Sequence, residues 1–145
     1  MPRIRIDLPA TFPFAIELPV RITDVNYGGH LGNDALLSLL HEARCRFLLH
    51  HGCSEANTAG VGMVMVDAAL TYRQQAFHGA VLKIEVGVTD FQRTGCDFVY
   101  RVTHVGTGAL VAEAKTGIVF FDYATRKIQR MPAKFAVLNP DPDAG

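Results

Sequence analysis

From Asp34 to His51 the chain reads DALLSLLHEARCRFLLHH, a stretch free of Gly and Pro in which Leu36, Leu40, Ala43 and Phe47 recur at helical spacing alongside Leu37, Arg44 and Leu48. Such a helix spans roughly 27 Å at 1.5 Å per residue. Leu39, Cys45 and Leu49 carry apolar character off the main stripe, so the helix is expected to be hydrophobic around most of its circumference, as when a sheet wraps it. Asn33 is placed to cap it, Asp34 suits the positive end of its dipole, and His50, His51 and Gly52 mark its end. A helix this apolar demands enclosure, and the rest of the chain has to supply it.

The flanking segments answer that demand. Residues 17–23 (ELPVRIT) read as a strand running into the turn-rich loop DVNYGGHLGN. After the helix come four strand-like segments, 61–73, 81–92, 97–105 and 109–123, separated by turn signals at His78-Gly79, Thr94-Gly95 and Gly106-Thr107-Gly108. Strand, long helix, then a meander is an α+β order, with a sheet curling around the early helix. One domain over residues 1–136 is expected, with 137–145 (VLNPDPDAG) as a loose tail.

Composition excludes several classes. The formal net charge is zero with Lys and Arg scattered, so neither nucleic acid nor a membrane surface is an expected partner. Asp7, Pro9, Pro13 and Glu17 interrupt the N-terminal apolar residues, so no signal peptide is expected, and no stretch approaches the roughly 20 apolar residues of a spanning helix. Cys45, Cys53 and Cys96 show no paired metal spacing and His41, His50, His51, His78 and His104 no ligand spacing, so free thiols in the cytoplasm, no metal and no cofactor are expected.

The loop D-V-N-Y-G-G-H-L-G-N followed by a helix containing E-A-R resembles the hot-dog thioesterases, many of which read D-x-D-x-x-G-H-V-N-N and then E-A-R. Asp24, Gly29, His30, Asn33 and Glu42-Ala43-Arg44 match; Leu31 replaces Val, Gly32 replaces the first Asn, and Asn26 stands where several members carry a carboxylate. The resemblance implies a hot-dog fold, a thioesterase acting on acyl-coenzyme A or an acyl-carrier thioester, and a homodimer, paired into a tetramer, with sites at the interface.

The residues support a site here on their own chemistry. A glycine-rich loop entering a helix presents unpaired backbone N–H groups, at Gly32 and the first helical residues, where a thioester carbonyl could be polarised. Hydrolysis also needs a base to activate water, for which Asp24 and Glu42 are the two candidates, buried carboxylates being expected to have raised pKa values. Asp24 could instead bond loop amides, and Glu42 could pair with Arg46 on a solvated stripe. Asn26 is equally suited to holding a water or a turn, and His30 to fixing the loop rather than shuttling protons. Asp67 is anomalous within GMVMVDAAL and either faces a partner's site or caps a ladder; Arg73, Arg93 and Arg126 are candidates for coenzyme A phosphates. Met63, Met65, Phe77 and Phe91 are expected to shape the acyl pocket. Two rivals are an enoyl-thioester hydratase, whose D-x-N-P-x-H pattern is met here only as D-V-N-Y-G-G-H, and a non-catalytic acyl-thioester binder.

Overall fold

In the computed structural model, which describes residues 2–140, alternation places one strand earlier than the turn signals suggest. Phe14, Ile16 and Leu18 are half-buried and Ala15, Glu17 and Pro19 exposed, the period-2 pattern of β1 (Phe14–Pro19). The expected strand over 17–23 is therefore corrected: residues Ile22–Asp24 form a single 3-10 turn. Its geometry is held by Asp24, whose carboxylate accepts from the Arg21 amide at 2.8 Å.

The long helix α1 (Asn33–His50) follows, then β2 (Gly62–Tyr72), β3 (Val81–Thr89), β4 (Gly95–His104), β5 (Leu110–Asp122), the short β6 (Lys127–Ile128) and a four-residue helix, α2 (Ala133–Ala136). The sheet is antiparallel in the order β1-β3-β4-β5-β2, with β6 on β5. It curls so that Leu82, Ile84, Val86, Phe98, Tyr100, Val102 and Phe120 face the buried stripe of α1, which carries Leu36, Leu39, Leu40, Ala43, Phe47 and Leu48. The enclosure is one-sided: Leu49 is 76% exposed and Leu37 is exposed as well, so the expectation of an apolar helix covered nearly all round is not met within one chain. Leu138 packs against the core; residues 141–145 of the expected tail lie outside the described residues.

The strand ladder is tight where β4 begins. A Cβ on Gly95 would run into the backbone carbonyl oxygen of Ile118 on β5, with the Ile118 carbonyl carbon at 3.3 Å and Val119 Cα at 3.4 Å. Those atoms belong to the ladder and cannot move aside without unpairing it. Gly95→Ala is expected to destabilise by about 1–3 kcal/mol, the range for overpacking. A urea midpoint unchanged from wild type would show that the two strands can separate there at no cost.

Candidate active site

Between β1 and α1 the chain makes a compact loop whose hydrogen bonds are nearly all internal. Asn26 Oδ1 accepts the amides of Gly28 at 2.9 Å and His30 at 3.4 Å, an Asx turn, while the Asn26 amide donates to the His30 carbonyl at 2.8 Å. Gly29 sits at φ +81°, a conformation that favours glycine. His30 lays its ring over Gly28 and edge-on to Phe77, with centroids 6.5 Å apart, and the loop is sewn to the sheet by Leu31 N–H to Ala76 O at 2.7 Å. Asn26 and His30 thus both shape the loop.

Gly32 occupies the helix cap, not Asn33 as expected: its amide donates to Asp24 O at 2.9 Å, its carbonyl accepts from Leu36, and Asn33 is already the first helical residue. Among the described residues no side chain caps α1, so the first helical amides face outward without an intrahelical acceptor. They open onto a cleft of about 190 Å³ whose lining includes His30, Gly32, Asn33, Tyr72, Arg73 and Gln75. Four of the residues singled out in the sequence, His30, Gly32, Asn33 and Arg73, therefore meet there. Tyr72, Gln74 and Gln75 were not anticipated; the polar run Tyr-Arg-Gln-Gln at the end of β2 was the available signal. Tyr72 Oη donates to Asn33 O at 3.2 Å, tying the end of β2 to the start of α1 across the cleft. Arg73 is held by Glu113 Oε1, 2.8 Å from Nη2 and 3.2 Å from Nε.

A larger cavity, about 410 Å³, lies at the other end of α1 among Phe12, Phe47, His51, Val88 and Leu138. It is mostly apolar and lacks helix N-terminal amides, so the smaller cleft is the better place for polar chemistry.

The two candidate bases do not line the cleft. Asp24 is buried at 5% exposure and clamped by Arg21, whose Nε and Nη2 donate to its two oxygens at 3.2 Å each. The guanidinium hydrogen bond outweighs burial and holds the carboxyl below its ordinary value, opposite to the expected rise. Because the folded value lies below the unfolded one, ionised Asp24 stabilises the fold above pH 3.8, and that contribution is lost as pH falls through the lower folded value. Asp24→Asn is expected to lower the denaturation midpoint at pH 7, and the gap from wild type to narrow on acidification below pH 3.8. A gap constant with pH would mean that the carboxylate charge contributes nothing.

Glu42, expected to be at least partly shielded, has a side chain 49% exposed and pairs with Arg46 at 3.4 Å. Asp67 lies where the β2–β5 register shifts, and its Oδ1 accepts the Gly117 amide at 3.1 Å, so its carboxylate serves the ladder. Arg93 and Arg126 stand away from the cleft, Arg126 in the exposed β5–β6 turn. Among the described residues the acid nearest the helix opening is Asp34, whose Oδ1 would lie 2.7 Å from a Cβ on Gly32. Its charge, with burial acting first, raises the Tyr72 phenol above its ordinary value.

An antiparallel sheet curled around one long helix, with a glycine-containing loop opening the helix onto a cleft, defines the hot-dog fold. The chain belongs to the thioesterase-like superfamily, whose sequence profile matches residues 20–137. The 1,4-dihydroxy-2-naphthoyl-CoA thioesterase of Synechocystis is 22% identical, covering 91% of this chain and 98% of its own, with a TM-score of 0.80. A Staphylococcus aureus protein solved in complex with CoA is 15% identical over 92% of this chain and 85% of its own, at a TM-score of 0.79. The DHNA-CoA thioesterase of the same organism is 19% identical over 80% and 78%, at 0.73. At these identities the likeness is one of fold. No curated protein matches the sequence. None of the described helices is long and apolar enough to cross a membrane.

Proposed function

We propose that the chain hydrolyses acyl-coenzyme A thioesters to the free acid and coenzyme A in the cytoplasm, where Cys45, Cys53 and Cys96 remain free thiols. The observation that supports this reading is the uncapped N-terminus of α1 opening on the cleft: its amides suit the developing oxyanion of a tetrahedral intermediate, a contribution of several kcal/mol when preorganised. Arg73, held by Glu113, stands at the cleft to meet a phosphate of the carrier.

Among the described residues no carboxylate lines the cleft within one chain, and we assign the water-activating base to a second chain. Glu42 lies nine residues into α1, about 13 Å along the axis from the first helical amides, too far to act on a carbonyl bound at its own cleft. It stands on the same uncovered side of the helix as the exposed Leu49, two turns on. A homodimer that covers this side would deliver Glu42 to the partner's cleft, with a further pairing of dimers as the larger assembly. Asn26 holds the loop and Asp67 the β2–β5 ladder of this arrangement.

Thiol release from a panel of acyl-coenzyme A lengths, followed with a thiol reagent, tests the reaction class. Turnover with at least one acyl group supports hydrolysis. Saturable acyl-coenzyme A binding with no thiol release would instead identify a binder, and loss of enoyl absorbance a hydratase.

A further inference from the structure

Outside the cleft, three side chains of metal-ligand type converge on α1 and the loop that follows it. His41 and Cys45 are one helical turn apart and project from the same face. Glu55, from the loop after α1, brings Oε2 to 3.1 Å from His41 Nε2, and the ligand atoms of His41, Cys45 and Glu55 all lie within 4.8 Å of one another. Two ligands each about 2.0 Å from a tetrahedral zinc sit about 3.3 Å apart, so the His41–Glu55 separation is already that of a shared cation.

The carboxylate is held in this orientation from behind. Arg44, buried, donates its Nε to Glu55 Oε1 at 2.6 Å and its Nη1 to Tyr100 Oη at 3.0 Å, and Tyr100 Oη is hydrogen-bonded to Thr116 Oγ1 at 2.8 Å. Oε1 is thereby taken and Oε2 is presented to His41 and Cys45. A charged group fixing the outer oxygen of a ligand carboxylate is the arrangement that orients coordinating residues in metal sites. Within one chain His41 and Glu55 are partly solvent-exposed, which leaves a route of entry and an open coordination position.

We infer that His41, Cys45 and Glu55 form a binding site for Zn²⁺ or a similarly thiophilic divalent cation, with three protein ligands and a fourth position open to solvent. Thiolate and imidazole select zinc-like ions over Ca²⁺ and Mg²⁺, which require oxygen ligands. Cys45 binds as the thiolate, its proton passing to solvent. Without a cation, burial and the adjacent Glu55 keep the thiol above its ordinary value, so Cys45 is not a ready nucleophile. Two ligand anions neutralise the cation and leave Arg44 as one excess positive charge, which sets the affinity below that of all-thiolate structural sites. A bound ion would pin the loop after α1 to the helix, beside the start of β2. The inference uses none of the hydrolase chemistry, and it requires that the assembly proposed above leave His41 accessible.

Co²⁺ is the probe. Titration into the purified chain is expected to give one equivalent of binding, with a thiolate-to-cobalt charge-transfer band in the near ultraviolet and visible bands of a four-coordinate site. Cys45→Ser is expected to abolish the near-ultraviolet band. His41→Ala and Glu55→Gln are expected to weaken Zn²⁺ binding, in competition with a chromophoric chelator, by more than the roughly 10–100-fold typical of losing an outer-shell partner. His41→Ala, at an exposed position, should keep the wild-type melting curve and so guards against misfolding as the cause. Absence of a charge-transfer band in the wild-type chain, or a band that survives Cys45→Ser, overturns the assignment.

Discussion

Glu42→Gln is expected to lower kcat for acyl-coenzyme A hydrolysis by roughly 10²–10⁴-fold, the range a positioned general base supplies, while leaving stability within about 0.5 kcal/mol of wild type. The two halves of this expectation have separate grounds. An ion pair as exposed as Glu42–Arg46, at 3.4 Å, contributes little to folding, so the carboxylate has no structural work to explain its place on the helix. On the proposed mechanism, its distance from the amides of its own chain assigns it to the cleft of a second chain. Mixing the Glu42→Gln protein with an Arg73→Ala protein should therefore restore part of the activity, because a mixed dimer contains one site built wholly from unaltered groups. Asp24→Asn, by contrast, should lose stability at pH 7 and change kcat by less than tenfold, because Asp24 is occupied by Arg21. If Asp24→Asn abolishes turnover and Glu42→Gln does not, the base has been misassigned.

The architecture was legible because it rests on local signals. The Gly- and Pro-free run gave α1 to within one residue at each end, and the turn dipeptides separated β2 to β5 with small errors. Where a residue's role depends on what lies across the fold, the chain read alone misleads. The strand expected at 17–23 lies at Phe14–Pro19, since Asp24 closes a 3-10 turn on Arg21 and turns residues 21–23 out of the ladder. Asp24 was expected to have a raised pKa because burial was foreseeable and its Arg21 clamp was not. Glu42 was expected to be shielded by its apolar neighbours in sequence, yet those neighbours face the sheet and it does not. Asn33 lost the cap to Gly32 because the loop enters the helix one residue earlier. His41 and Cys45 read as lacking ligand spacing for a related reason: the third member of their cluster, Glu55, arrives by a loop and is aimed by Arg44, a partnership no spacing rule encodes.

Phe135→Ala is expected to cost about 3–5 kcal/mol, a large share of the 5–15 kcal/mol that holds a typical domain together. Phe135 sits on α2, whose four residues could not persist as an isolated helix, yet its ring is fully buried. It packs 5.2 Å from Phe120 and 6.2 Å from both Phe91 and Phe98, closing the part of the core where β3, β4 and β5 surround the Phe47 end of α1. Truncation opens a void among rigid aromatic rings that strand pairing prevents from collapsing, which places the cost toward the upper part of the range. At about 2–4 °C per kcal/mol for a chain near this size, the melting temperature should fall by roughly 10 °C or more. Val137→Ala, two residues on and 77% exposed, should stay within about 0.5 kcal/mol, so the pair separates loss of the buried ring from disturbance of α2 itself. Phe135 does not line the cleft, so kcat at a temperature well below the transition should remain near wild type. A melting temperature unchanged in Phe135→Ala would mean that α2 is not docked in solution, and that β3 to β5 close this end of the core without it.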